Sequence, residues 1–178
     1  MPRELRPIQG APKAASSDMP PTAKLATLNA TERFGERLAG IVRPGDVIAL
    51  SGGLGAGKTT LARAVIRALA RRDGIDVGEV PSPTFTLVQT YELDVASVHH
   101  FDLYRIKRPE EAIELGIEDA FGFGISLVEW PEKLGAFLPD DRLEIELSLG
   151  TAPTERIAVI RGHGSWAARV ESLADDRA

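Results

Sequence analysis

Hydrophobic positions along the chain follow two patterns. Short unbroken apolar runs alternate with segments whose apolar residues recur every three or four positions. In ATLNATERFGERLAGIV, Phe34, Leu38 and Ile41 share one helical face. Asn29, with Glu32 three residues on, has capping-box spacing and predicts the start of that helix. Pro44 and Gly45 turn the chain, and VIALS (47–51) reads as a buried parallel strand. A second helix is predicted over 58–72, with Leu61, Val65 and Leu69 inward. PSPTF (81–85) precedes FTLVQTYEL and SVHHFDLYRI, whose aromatic and β-branched residues read as two strands of a hairpin. PEEAIELGIEDAFG opens a helix at Pro109. ISLVEW (125–130) is a second buried strand, and PEKLGAFL gives one or two helical turns. DRLEIELSL alternates Leu143, Ile145, Leu147 and Leu149 with polar neighbours, and pairs across GTAPTE with RIAVI (156–160). Trp166, Val170 and Leu173 mark a short last helix. These elements predict an α/β domain whose sheet is part parallel and part antiparallel.

Composition sets the limits of that domain. The chain has 178 residues, one domain's worth. Residues 1–24 are rich in proline and poor in large apolar side chains, which predicts a disordered extension before a single domain over 25–178. Hydrophobic content of 43 % and charged content of 26 % are those of a globular protein. Cysteine is absent, so neither a disulfide nor a thiolate metal site can form. No apolar run reaches membrane-spanning length, and the N-terminus shows no signal-peptide apolar region. A cytoplasmic protein with no membrane partner is expected. The net charge of −5 argues against a broad nucleic-acid surface, and no DNA partner is expected.

The chemistry begins where the first buried strand ends. Gly52-Gly53-Leu54-Gly55-Ala56-Gly57-Lys58-Thr59 has the spacing G-x-x-x-x-G-K-[ST] between a strand and a helix. Glycines let backbone N–H groups approach phosphate oxygens, and the helix adds its positive end. The expected nucleotide contacts are Gly53, Gly55, Ala56, Gly57, Lys58, Thr59 and Thr60, with Lys58 on the β- and γ-phosphates and the Thr59 hydroxyl on Mg²⁺. The only asparagine, Asn29, is followed by Ala30, so an Asn-Lys-x-Asp guanine reader is missing. ATP is therefore expected by elimination.

Phosphoryl transfer also needs Mg²⁺ held from a second side and a group that orients the attacking water. Glu129 ends the strand ISLVE, where acids point into the ligand crevice of an open α/β sheet. Its bland alternative is a strand-end acid in solvent. Asp102 lies among apolar and aromatic residues, where a carboxylate needs a metal or an ionic partner; Arg105 is the alternative to a metal. Spacing leaves open which acid meets the metal and which the water. Thr84 stands in a loop that either senses the γ-phosphate or is a proline-fixed turn. Trp130 either covers the nucleotide or packs in the core. His99, His100 and His163 have no companions at metal-ligand spacing and read as structural or solvent-facing.

Together SGGLGAGKTT, SPTF, HHFDLYRI and LVEWPEKL resemble the TsaE (YjeE) family over about residues 25–162. The resemblance implies a P-loop NTPase-like three-layer sandwich. It also implies a small bacterial ATPase needed to make N6-threonylcarbamoyladenosine in certain tRNAs. By position it implies that Lys58 and Thr59 bind nucleotide and Mg²⁺. Ser82 and Thr84 fall in a switch-like loop, Asp102 is linked to Mg²⁺, and Glu129 and Trp130 match an E-W pair whose acid is needed for hydrolysis. It further implies a partner pair, TsaB and TsaD, reset by ATP hydrolysis, with tRNA engaged only through that complex. The long N-terminus departs from the compact family pattern. Two rivals remain on residues alone: a small-molecule kinase, for which RIKRP (105–109) is the one lid candidate, and a nucleotide-gated binding module with negligible turnover.

Overall fold

The computed structural model describes residues 19–174. Strand β1 (Thr22–Leu25) comes first, then helix α1 (Leu28–Ile41), strand β2 (Val47–Ser51) and helix α2 (Lys58–Arg72). The hairpin β3 (Val88–Glu92) and β4 (Ser97–Asp102) follows, and then the short helices α3 (Glu110–Glu114) and α4 (Ile117–Phe123). Strand β5 (Ile125–Glu129) leads into a 3₁₀ segment, Pro131–Phe137, and into the hairpin β6 (Arg142–Leu149) and β7 (Arg156–His163). A 3₁₀ turn (Gly164–Ala168) and helix α5 (Glu171–Ala174) close the described chain.

The seven strands form one sheet in the order β1-β7-β6-β2-β5-β4-β3. Strands β6, β2, β5 and β4 run parallel, and the two hairpins and β1 add the antiparallel edges. The central strands β2 and β5 are buried along almost their whole length, which explains their unbroken apolar sequences. Alternate residues serve two cores. Ile48, Leu50, Leu127 and Ile145 pack under α1, α2 and the C-terminal turns, with Phe34, Leu38, Leu61, Val65 and Trp166. Val47, Phe101 and Val128 pack on the other face with Ala112, Ile117 and Leu134. The sheet is thus covered on both sides, the three-layer mixed α/β architecture expected from the sequence.

Five local expectations are corrected. Thr22–Lys24 belong to β1, which pairs with β7, so order reaches into the segment read as a disordered extension. Ala23 and Leu25 are buried there, and two buried apolar side chains suffice to hold a short edge strand. Residues 1–18 of that extension lie outside the described residues. The cap of α1 is Thr27, whose hydroxyl accepts from the Ala30 N–H, while Asn29 sits inside the helix and accepts from Arg33. The helix expected after Pro109 is two helices, because Gly116 takes a left-handed conformation (φ 77°) between them. Strand β3 starts at Val88, since residues 83–87 form a turn closed by the Leu87 N–H on the Pro83 carbonyl. Leu149 ends the β6 alternation exposed.

Candidate functional site

The C-terminal ends of β2, β4 and β5 open on one side of the sheet and carry the phosphate loop, Asp102 and Glu129. They share a cleft of about 310 Å³, which Gly55, Gly57, Lys58, Thr59, Thr60, Thr84, Tyr104, Trp130 and Arg156 also line. The loop runs as close to β6 as backbone permits. A Cβ at Gly52 would lie 2.2 Å from the Leu147 carbonyl oxygen, and Gly52 has φ 131°. Gly57, at φ 102°, starts α2. Ala56 turns its methyl into the core, and its N–H closes the loop on the Gly53 carbonyl.

Lys58 is 4 % exposed. Its ammonium donates to the carbonyls of Gly52 (2.7 Å) and Gly53 (2.8 Å) and lies 4.0 Å over the Trp130 ring. Burial pushes its pKa below the usual lysine value, against the pull of Glu129, Asp102 and Glu132. Trp130 reaches this place because its backbone turns left-handed (φ 61°) directly after β5 and its N–H bonds the Leu50 carbonyl. Its indole also packs on Tyr104, at 4.9 Å between ring centroids, and against the second core. Trp130 therefore packs against the second core and also lines the cleft.

The acids are held from different sides. Glu129 accepts the Thr59 hydroxyl on both oxygens, at 2.8 and 2.9 Å, and His100 Nε2 lies 2.8 Å from its Oε1. Asp102 accepts the Thr84 hydroxyl (3.0 Å) and the Tyr104 N–H (3.0 Å). Ser82 continues that chain, 2.8 Å from Thr84. Arg105, the alternative partner considered for Asp102, lies instead with its guanidinium 4.4 Å over Phe85. The lid candidate at 105–109 is the loop from β4 to α3. Thr59, Asp102 and Glu129 offer only hydroxyl and carboxylate oxygens, the donor set that suits Mg²⁺.

Every residue expected in the nucleotide and metal site lies on or beside the loop and this cleft. Sequence reasoning missed three neighbours. His100 is fully buried against Glu129, whereas histidines were read as structural or solvent-facing. Its signal was available: it stands two residues before Asp102 on one strand, hence on the same face. Tyr104 supplies an N–H to Asp102 and a ring to Trp130. Arg156, at the start of β7, donates to the Gly55 carbonyl at 3.2 Å, a contact across the fold that no local pattern announces.

A family model for the threonylcarbamoyl adenosine biosynthesis protein TsaE matches residues 25–157. The chain belongs to the TsaE family. Similar relatives carry the name tRNA threonylcarbamoyladenosine biosynthesis protein TsaE. The one from Rickettsia bellii (strain RML369-C) is 37 % identical over 119 residues, covering 67 % of this chain and 80 % of the relative. The Bacillus subtilis (strain 168) protein is 39 % identical over 117 residues, covering 65 % and 69 %. The fold matches the crystal structure of Bacillus subtilis YdiB with a TM-score of 0.65 at 29 % identity, over 90 % of this chain and 96 % of that one. The matched family segment contains the phosphate loop, both acids and Trp130. Among the described residues no helix is long and apolar enough to cross a membrane.

Proposed function

We propose that this chain is a Mg²⁺-dependent ATPase of the cytoplasm that serves the threonylcarbamoyladenosine modification of tRNA. It binds a TsaB–TsaD transferase pair and resets it through ATP hydrolysis. The names of its relatives support the tRNA pathway. The observation that carries the ATPase reading is the convergence of Lys58 and Thr59 from the loop with Glu129 and Asp102 from two strand ends.

The loop N–H groups and the start of α2 cradle the phosphates. Lys58 leaves the Gly52 and Gly53 carbonyls to meet the β- and γ-phosphate oxygens. The Thr59 hydroxyl, Asp102 and Glu129 would hold Mg²⁺, which when bound would neutralise charge that builds on the phosphate oxygens. Glu129 orients the water whose oxygen bonds the γ-phosphorus as the bond to the β,γ-bridging oxygen breaks. Asp102, tied to Thr84, links the 83–87 turn to the same event. The partner pair contacts tRNA, and this chain acts through the pair.

The test is the steady-state ATPase rate of the purified protein, alone and with TsaB–TsaD from the same source. Little activity alone and a clear rise with the pair are expected. A high rate indifferent to the pair, or phosphate delivered to a small-molecule acceptor, would overturn the resetting role.

A further inference from the structure

We propose that His100 is a positioning residue that clamps Glu129 during turnover, an assignment that rests on the ATPase reading above. The His100 side chain is 0 % exposed and Glu129 3 %. A buried carboxylate must have its lone pairs met by donors. Among the described residues Glu129 has two, the Thr59 hydroxyl and His100 Nε2.

These two donors differ in permanence. The Thr59 hydroxyl is the group expected to turn to the metal when nucleotide arrives. Once it turns, His100 is what holds Oε1. The imidazole sits on the sheet, two residues before Asp102 on β4, pinned by the register of β4 on β5. With Oε1 clamped, Oε2 is left for the cleft, where water and metal must be met. A strand-borne ring fixes that direction better than a loop could.

The tautomer follows from the surroundings. His100 Nδ1 is buried with no hydrogen-bond partner among the described residues. A neutral ring has one N–H and one bare nitrogen. Placing the proton on Nδ1 would bury an unmet donor and set a bare Nε2 lone pair against a carboxylate oxygen at 2.8 Å. Placing it on Nε2 makes the hydrogen bond and leaves only a bare lone pair at Nδ1. In a neutral ring the proton therefore belongs on Nε2, which donates to Glu129.

Two measurements test this. In the first, ATPase kinetics and ATP affinity are compared for His100→Phe, which keeps the ring and loses the donor, and His100→Gln, whose amide can restore it. Phe is expected to lower kcat roughly 10- to 100-fold while ATP affinity stays within about threefold. Gln is expected to recover most of that loss, and His100→Phe added to Glu129→Gln should cost almost nothing more. Equal kcat in wild type and His100→Phe, or matching losses for Phe and Gln with falling ATP affinity, would overturn the clamp. The second measurement needs no turnover. Imidazole ¹⁵N–¹H spectra of the intact protein, with His100 assigned by its loss in His100→Gln, should show a protonated Nε2 that shifts in Glu129→Gln. A bare Nε2, or no shift, would overturn the clamp even if the protein is an ATPase. An intact signal with no ATPase, alone or with partners, would instead remove the ATPase reading and with it the clamp's part in turnover.

Discussion

Asp102 and Glu129 stand directly opposite one another in the parallel register of β4 on β5. Both are almost out of solvent. Carboxylates so placed repel unless donors or cations stand between them. Their donors differ: Thr84 and the Tyr104 N–H serve Asp102, and Thr59 and His100 serve Glu129. The two acids should therefore separate on substitution. Glu129→Gln is expected to keep ATP affinity within about threefold and lose hydrolysis about 100-fold, the scale of removing one transition-state contact. Asp102→Asn is expected to raise the Mg²⁺ needed for half-maximal rate about tenfold. Calorimetric titration with ATP and a Mg²⁺ series check both. A collapse of ATP binding in Glu129→Gln would leave Glu129 a metal-holding or structural residue only and move the water-orienting role elsewhere.

Lys58 and Trp130 make a reporter of the loop. The ammonium over the indole at 4.0 Å is an attraction that a bound phosphate would redirect. Adding ATP should therefore change tryptophan fluorescence. Trp130→Phe should abolish the change and Trp166→Phe should keep it, since Trp166 is buried in the core beside Arg169. Lys58→Ala is expected to weaken ATP binding about 100-fold, the worth of one charge-assisted contact. Unchanged affinity and turnover in that variant would take the loop out of the mechanism.

Local chemistry was legible in the sequence, and contacts across the fold were not. The 47–51 strand and the 58–72 helix are found at the expected bounds because an unbroken apolar run and a glycine loop are strong local signals. The chain order of loop, acids and tryptophan carried the family. The Thr27 cap was missed because Asn29 and Glu32 offered a better local pattern, and the burial of Leu25 then fixed where the helix enters. Strand β1 was missed because its pairing with β7 spans nearly the whole chain. His100 could be placed on the face of Asp102 by strand alternation, but its contact with Glu129, and that of Arg156 with Gly55, became visible only in the folded sheet.

The acid limb of stability should depend on Glu144. Burial raises its pKa, but the Arg142 guanidinium (2.8 Å) and the His163 ring outweigh that and hold the carboxyl below its ordinary value. The folded state then binds this proton less tightly than the unfolded chain. The stabilisation is complete above the ordinary value of 4.5 and is lost as pH falls through the lower folded value. Melting temperature measured against pH should fall less steeply on the acid side in Glu144→Gln than in wild type. Parallel curves would show that Glu144 contributes no linkage.

Gly52 and Gly53 differ in what surrounds them. A Cβ on Gly52 would lie 2.2 Å from the Leu147 carbonyl oxygen, in a backbone conformation (φ 131°) that alanine resists. Leu147 is held in β6 by its pairing with Ala158 of β7, and the loop continues directly from β2, so neither gives way freely. Gly52→Ala is expected to cost about 2 kcal/mol or more of stability and to weaken ATP binding with it. A Cβ on Gly53 meets nothing within 4 Å. Gly53→Ala should stay within about 0.5 kcal/mol of wild type. Any loss of ATP affinity there would come from crowding the phosphate itself rather than from the fold. Denaturant melts and ATP titrations on both variants separate the two effects. A Gly52→Ala protein as stable as wild type would mean that the loop does not lie against β6.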